Sequence, residues 1–173
     1  MKTLILGGVR SGKSRLAERI ASETGLPVIY IATATALDDE MRTRIEEHRT
    51  HRPENWLVVE EPIQLAAALS KHATRGCCIL VDCLTLWLTN LLMDEDVTVY
   101  ERECEAIFAA LPLLQGEIIM VSNETNMGVM PLGELSRVYC DEAGKLHQLF
   151  AQSCDRVILT VAGLPHVLKG EPF

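Results

Sequence analysis

The stretch that most restricts this chain is Gly7-Gly8-Val9-Arg10-Ser11-Gly12-Lys13-Ser14. It fits the phosphate-loop pattern: a glycine, four residues, then Gly-Lys-Ser. Glycines let the backbone curl until successive amide hydrogens point into one hollow that holds an anion. Lys13 is then placed to reach the outer phosphates of a nucleoside triphosphate, and the Ser14 hydroxyl to ligate Mg²⁺. The helix that follows turns its positive end toward the same phosphates. Thr3-Leu4-Ile5-Leu6 reads as a buried strand and residues 15–24 read as a helix. Strand, loop and helix in that order are the setting the motif requires. Without that setting the pattern would be a Gly-rich turn with an ordinary surface lysine.

At 173 residues the chain is expected to form one domain with a sizeable core. Its formal net charge of −8 argues against a nonspecific nucleic-acid binder. No run of eighteen apolar residues occurs, so no membrane span is expected. A cleaved signal peptide would remove the phosphate loop, so none is expected and a cytoplasmic location follows. The six cysteines, Cys77, Cys78, Cys83, Cys104, Cys140 and Cys154, form no CxxC pair. They read as reduced core thiols rather than as a zinc site.

The rest of the chain alternates strand and helix. Leu16 and Ile20, with Ala17 and Ala21, share one helix face, Gly25 suits its C-terminal cap, and Pro27 stops it. Val28-Ile29-Tyr30-Ile31-Ala32 reads as a second buried strand, and Thr33-Ala34 leaves it at the edge that carries ligands in open α/β sheets. A helix is expected over residues 39–51, with Met41, Ile45 and His48 on one stripe. Its arginines, Arg42, Arg44, Arg49 and Arg52, either contact phosphates or pair with neighbouring carboxylates on a solvated face; spacing alone favours the second. Leu57-Val58-Val59-Glu60 is a short third strand, and Pro62 suits the first turn of the helix through Leu69. Cys77 to Asp82 is an apolar strand ending in an aspartate, the form of a Mg²⁺-holding Walker B strand. Its alternative is an aspartate that caps the next helix, from Thr85. Thr98 and Glu101 form a capping box for a helix to about residue 111. Ile118 to Val121 is the fifth strand, and Ser122-Asn123-Glu124 leaves it toward the same edge. The mildly apolar loop from Thr125 to Pro131 suits a flap over a bulky ligand or a plain connector. A long helix over residues 133–153 and a strand over 156–161 follow, and the last dozen residues read as a short edge excursion. The result is a single P-loop NTPase-like α/β domain over residues 1–173, with a mainly parallel sheet flanked by helices.

End to end, these residues resemble the bifunctional adenosylcobinamide kinase / adenosylcobinamide-phosphate guanylyltransferase family of cobalamin biosynthesis. The likeness covers Gly7 to Arg15 with an arginine inside the loop, Tyr30-Ile31-Ala32-Thr33, Asp38-Asp39-Glu40-Met41, and Arg44-Ile45 with His48-Arg49. It continues through Arg52-Pro53, Trp56 and Glu60, Asp82-Cys83-Leu84-Thr85, Thr89-Asn90-Leu91-Leu92, Ser122-Asn123-Glu124, Met127-Gly128, Pro131, and Asp141 with Gly144. The family tends to carry asparagine where this chain has His147.

The resemblance implies two activities: phosphorylation of the aminopropanol hydroxyl of adenosylcobinamide by ATP or GTP, and transfer of GMP from GTP to the resulting phosphate. It implies that the second passes through a guanylylated histidine, at His48 in this sequence. A neutral imidazole can attack the α-phosphorus and form a labile phosphoramidate. For the nucleotide it points to Gly7, Gly8, Val9, Arg10, Ser11, Gly12, Lys13, Ser14, Thr33, Ala34, Arg49, Arg52, Glu60 and Asp82. Lys13 joins His48 in catalysis, Ser14 and Asp82 are assigned to Mg²⁺, and Glu60 to the N1 and N2 hydrogens of guanine. A homotrimer with sites near subunit boundaries is also implied. The remaining alternatives are a P-loop kinase for a different alcohol without guanylyltransferase activity, a family member that lacks one activity, and a GTP switch. The switch lacks support, because Asp82 is followed by Cys-Leu-Thr and Ser122-Asn123-Glu124-Thr125 has no lysine.

Overall fold

The computed structural model describes residues 1–35 and 53–172. Among them the elements run β1 (Lys2–Gly7), α1 (Lys13–Glu23), β2 (Val28–Ala32), β3 (Leu57–Glu60), α2 (Leu65–His72) and β4 (Cys78–Asp82). They continue with α3 (Leu84–Leu92), α4 (Val99–Ala110), a 3₁₀ turn (Leu111–Leu113), β5 (Glu117–Asn123), α5 (Glu134–Ser153), β6 (Arg156–Val161) and β7 (Leu164–Lys169). The seven strands lie in the order β3-β2-β4-β5-β1-β6-β7. The first six are parallel, and β7 runs antiparallel along β6.

The apolar runs of the central strands do not alternate with polar residues because both faces of the sheet are covered. One face, with Ile5, Leu80, Ile119, Val121 and Ile158, packs on Leu16, Ala17 and Ala21 of α1. The other, with Leu4, Ile79, Val81, Ile118 and Met120, packs on Leu65, Leu69, Trp87, Leu88, Ile107 and Phe150. Each fully buried leucine or isoleucine here contributes about 1.5–3 kcal/mol by leaving water. Alanines at 17 and 21 bring α1, the helix of the phosphate loop, close to the sheet. Gly25 ends that helix at φ 66°, as its sequence position indicates.

Three local expectations are corrected. Pro62 precedes α2 rather than opening it, because the Glu61 carboxylate accepts the N–H groups of Ile63 and Gln64 at 3.0 and 2.7 Å and delays the first turn. Thr98 precedes α4 but makes no capping box: its hydroxyl donates to Asp96 Oδ1 at 2.7 Å. The last dozen residues are no mere excursion. Ala162 and Gly163, at φ 50° and 80°, form a two-residue turn whose twist suits a hairpin, and β7 pairs with β6 beyond it. All six cysteines are free, and Cys77, Cys78, Cys83 and Cys154 are buried, as expected of core thiols. The expected helix over residues 39–51 lies outside the described residues.

Candidate functional site at the carboxyl edge of the sheet

The phosphate loop leaves β1 at its carboxyl end and closes onto α1. Arg10 at φ 55° and Gly12 at φ 95° take left-handed backbone conformations that turn the loop inward. Gly7 has no room for a side chain: a Cβ there would stand 2.4 Å from Ser11 Oγ and 2.6 Å from the Thr160 carbonyl oxygen. Ser11 N–H donates to the Gly8 carbonyl at 3.2 Å. The loop is also held from the far edge of the sheet, where Gly163 N–H donates to the Ser11 carbonyl at 2.9 Å. The Ser11 hydroxyl is buried inside this curl without a hydrogen-bond partner among the described residues. A tight curl with an unpaired buried hydroxyl fits a loop shaped around a further oxygen-rich group.

Lys13 is buried, and its ammonium donates to the Gly8 carbonyl at 3.2 Å. Burial draws its pKa below the ordinary 10.5, while the Asp82 carboxylate acts in the opposite direction. Asp82 ends β4, and its Oδ2 accepts the Tyr30 hydroxyl at 2.7 Å. Tyr30 is itself packed against Trp56, with ring centroids 6.5 Å apart. Lys13 and Asp82 thus lie at the same end of the α1 side of the sheet, Asp82 sharing the strand face of Cys78 and Leu80.

Thr33 is fully buried. Its hydroxyl donates to the Cys83 carbonyl at 2.7 Å and accepts the Cys83 N–H at 2.9 Å, so it ties the end of β2 to the turn after Asp82. The Asn90 amide of α3 reinforces this tie, donating to the carbonyls of Thr33 and Pro62 at 2.8 and 3.1 Å. Ala34 follows, half-buried at the edge. Ser14 is half-buried in the first turn of α1, while Gly8, Val9 and Arg10 are exposed at the loop tip. Glu60 is exposed at the end of β3, in register with Ala32, which is in register with Asp82 on its other side. At about 4.8 Å per strand, Glu60 stands roughly 10 Å from Asp82 and roughly 19 Å from the phosphate-loop strand. His48, Arg49 and Arg52 lie outside the described residues.

A second polar cluster flanks the same edge on the opposite face, and the sequence reading gave its histidine no role. Ser122 Oγ lies 2.8 Å from His147 Nε2, and His147 Nδ1 lies 3.5 Å from Glu124 Oε2. Thr85 Oγ1 accepts the Asn123 N–H at 2.7 Å and stands 3.4 Å from Ser122 Oγ. Burial draws the His147 ring below the ordinary 6.5, with Glu124 pulling it back up. A cavity of about 10 Å³, lined by Ser122, Tyr139, His147 and Phe150 among others, adjoins the cluster. Among the described residues no group of three or more His, Cys, Asp or Glu side chains gathers.

Residues 3–168 match the family described as cobinamide kinase / cobinamide phosphate guanyltransferase. The chain is 62% identical over 173 residues, the full length of both proteins, to the bifunctional adenosylcobalamin biosynthesis protein CobP of Pseudomonas aeruginosa. It is 36% identical over 182 residues, 98% of this chain and 100% of the relative, to the bifunctional adenosylcobalamin biosynthesis protein CobU of Escherichia coli K12. Among solved structures, a Pyrococcus horikoshii OT3 protein superposes with a TM-score of 0.54 at 10% identity, covering 99% of this chain and 87% of that one. That likeness concerns the fold alone.

Proposed function

The chain belongs to the cobinamide kinase / cobinamide phosphate guanyltransferase family, and on that premise we propose how its residues divide the two reactions. The enzyme phosphorylates adenosylcobinamide and then transfers GMP from GTP to adenosylcobinamide phosphate. The observation that supports this best is the buried Lys13 in a loop no Cβ could enter at Gly7, at the same edge and on the same face of the sheet as Asp82, which ends β4 two strands away.

In this reading the N–H groups of Gly8 to Ser14 cradle the phosphates of ATP or GTP, and Lys13 neutralises charge that develops on the transferred phosphoryl group. Ser14 and Asp82 offer a hydroxyl and a carboxylate, hard oxygen donors that suit Mg²⁺ and would hold it; the ion would offset the charge of the phosphates. Tyr30 fixes the Asp82 carboxylate by its hydrogen bond. Thr33 and Ala34 serve the nucleotide by holding the backbone at the end of β2. Glu60, at the far end of the edge from the phosphate loop, accepts the N1 and N2 hydrogens of guanine, and an adenine there would leave the carboxylate unmatched.

His48 is the nucleophile of the second reaction. Its ring nitrogen attacks the α-phosphorus of GTP, pyrophosphate leaves, and the cobinamide phosphate oxygen displaces histidine from the GMP. Arg49 and Arg52 offset charge on the phosphates in both displacements. A homotrimer in the cytoplasm completes the proposal; no helix among the described residues is long and apolar enough to cross a membrane.

Incubation with α-labelled GTP tests the division of labour. The expected result is a covalent, acid-labile, base-stable GMP adduct that disappears in His48→Ala while phosphorylation of the corrinoid alcohol persists. An unchanged adduct in His48→Ala would remove histidine 48 from the mechanism. Absence of any adduct in the unaltered protein would leave a kinase alone.

A further inference from the structure

The carboxyl edge carries two polar groupings, and the proposed nucleotide chemistry uses one of them. Lys13, Tyr30 and Asp82 stand on the α1 side. Thr85, Ser122, Glu124 and His147 stand on the other, since Ser122 and Glu124 share a strand face with Met120. Building this second grouping is costly. Ser122 is 1% exposed and His147 9% exposed, and polar groups this deep destabilise the fold unless they are paired.

The pairing has a direction. The Asn123 N–H occupies Thr85 Oγ1, so the Thr85 hydroxyl hydrogen is free to turn toward Ser122 Oγ at 3.4 Å. Ser122 Oγ and His147 Nε2 lie 2.8 Å apart; with Ser122 as the donor, the ring hydrogen sits on Nδ1, which makes no hydrogen bond among the described residues and stands 3.5 Å from Glu124 Oε2. The chain thus points at the Glu124 carboxylate. The other oxygen, Oε1, accepts the Asn126 N–H at 2.8 Å. Glu124 is also a direct neighbour of the phosphate loop, because its own N–H donates to the Gly7 carbonyl at 2.9 Å. Beyond it the chain enters a loop whose apolar side chains are displayed to solvent, with Val129 98% and Leu132 97% exposed. A carboxylate whose residue is hydrogen-bonded to the start of the phosphate loop and leads into an exposed apolar loop is placed for a bulky alcohol that must lose a proton as it meets the terminal phosphate.

We propose that Glu124 is the catalytic residue that takes the proton of the acceptor alcohol in phosphoryl transfer, and that His147 is the positioning residue that orients it; this rests on the kinase reading above. The alcohol oxygen forms its bond to the γ-phosphorus as the bond from that phosphorus to the bridging oxygen breaks. The bridging electron pair leaves with the nucleoside diphosphate, and the alcohol proton passes to a Glu124 oxygen.

The test uses the full chain with GTP and cobinamide. In Glu124→Gln the kinase kcat should fall on the order of a hundredfold or more, as for loss of a general base, while the KM for nucleotide stays within about threefold. Formation of the GMP adduct from α-labelled GTP should persist. In Glu124→Ala, added formate should restore part of the kinase rate, and His147→Gln should lower kcat less than Glu124→Gln with nucleotide KM again unmoved. Where Glu124→Gln fails to fold, Glu124→Asp carries the test, with kcat lowered and KM held. Normal kinase turnover in Glu124→Gln overturns the assignment. So does a rise in nucleotide KM that matches the loss in rate, or a parallel loss of the adduct, since either would make Glu124 a mere prop of the loop. Absence of corrinoid phosphorylation by the unaltered protein would overturn the kinase reading and this assignment with it.

Discussion

At the scale of single residues, the site depends on groups that are absent as much as on groups that are present. Gly7 is the clearest case, because a methyl group there meets a backbone carbonyl that cannot rotate away. Gly7→Ala should weaken nucleotide binding at least tenfold, about 1.4 kcal/mol, read by titration with GTP. His147 makes a pH prediction with a definite sign. Its folded pKa is drawn below 6.5 by burial, so below that value the unfolded chain binds the proton more readily than the folded one. The stability it contributes is whole above pH 6.5 and is lost as the pH falls toward the folded value. Urea unfolding between about pH 7.5 and 5.5 should show this loss, and His147→Gln should flatten it. Gly7 was legible in the sequence because its neighbours repeat a pattern with a backbone reason. His147 was not, since nothing local marks it: Ser122 is twenty-five residues away and meets it only through the packing of α5 on the sheet.

At the scale of elements, strands and helices were legible wherever burial dictated them. β1, β2, β4, β5 and β6 emerge from apolar runs, and α1 and α5 from their helical periodicity and flanking glycines. What stayed hidden were places where one side chain overrides a local rule. Glu61 postpones α2 past Pro62, and Asp96 captures the Thr98 hydroxyl that would otherwise cap α4. β7 was hidden because its residues are largely exposed, and only the Ala162-Gly163 turn explains why they form a strand. The junction of β2 and β4 offers a prediction at this scale. Thr33→Val keeps shape but leaves the buried Cys83 N–H without its partner, and should cost about 2 kcal/mol in urea unfolding. Because that junction supports the turn after Asp82, kinase activity should fall in the same variant by more than the loss of folded protein accounts for.

At the scale of the whole molecule, alternation of strand and helix announced a parallel sheet, but not its order. Periodicity describes which face a strand buries, and says nothing of which neighbour it chooses. The order matters here, because the strand that launches the phosphate loop lies between β5 and β6. Its register partners run from Ile118 to Asn123 on one side and from Arg156 to Thr160 on the other.

This arrangement bears on synthesis. The loop precedes both strands that flank β1 in the chain, and β6, together with the glycine that grips Ser11, follows only after α5. A nascent chain stalled with about 150 residues exposed should therefore fail to retain GTP on an affinity resin, while the released protein retains it. The substrate cannot serve as an early folding template, and the enzyme becomes competent in a single late step.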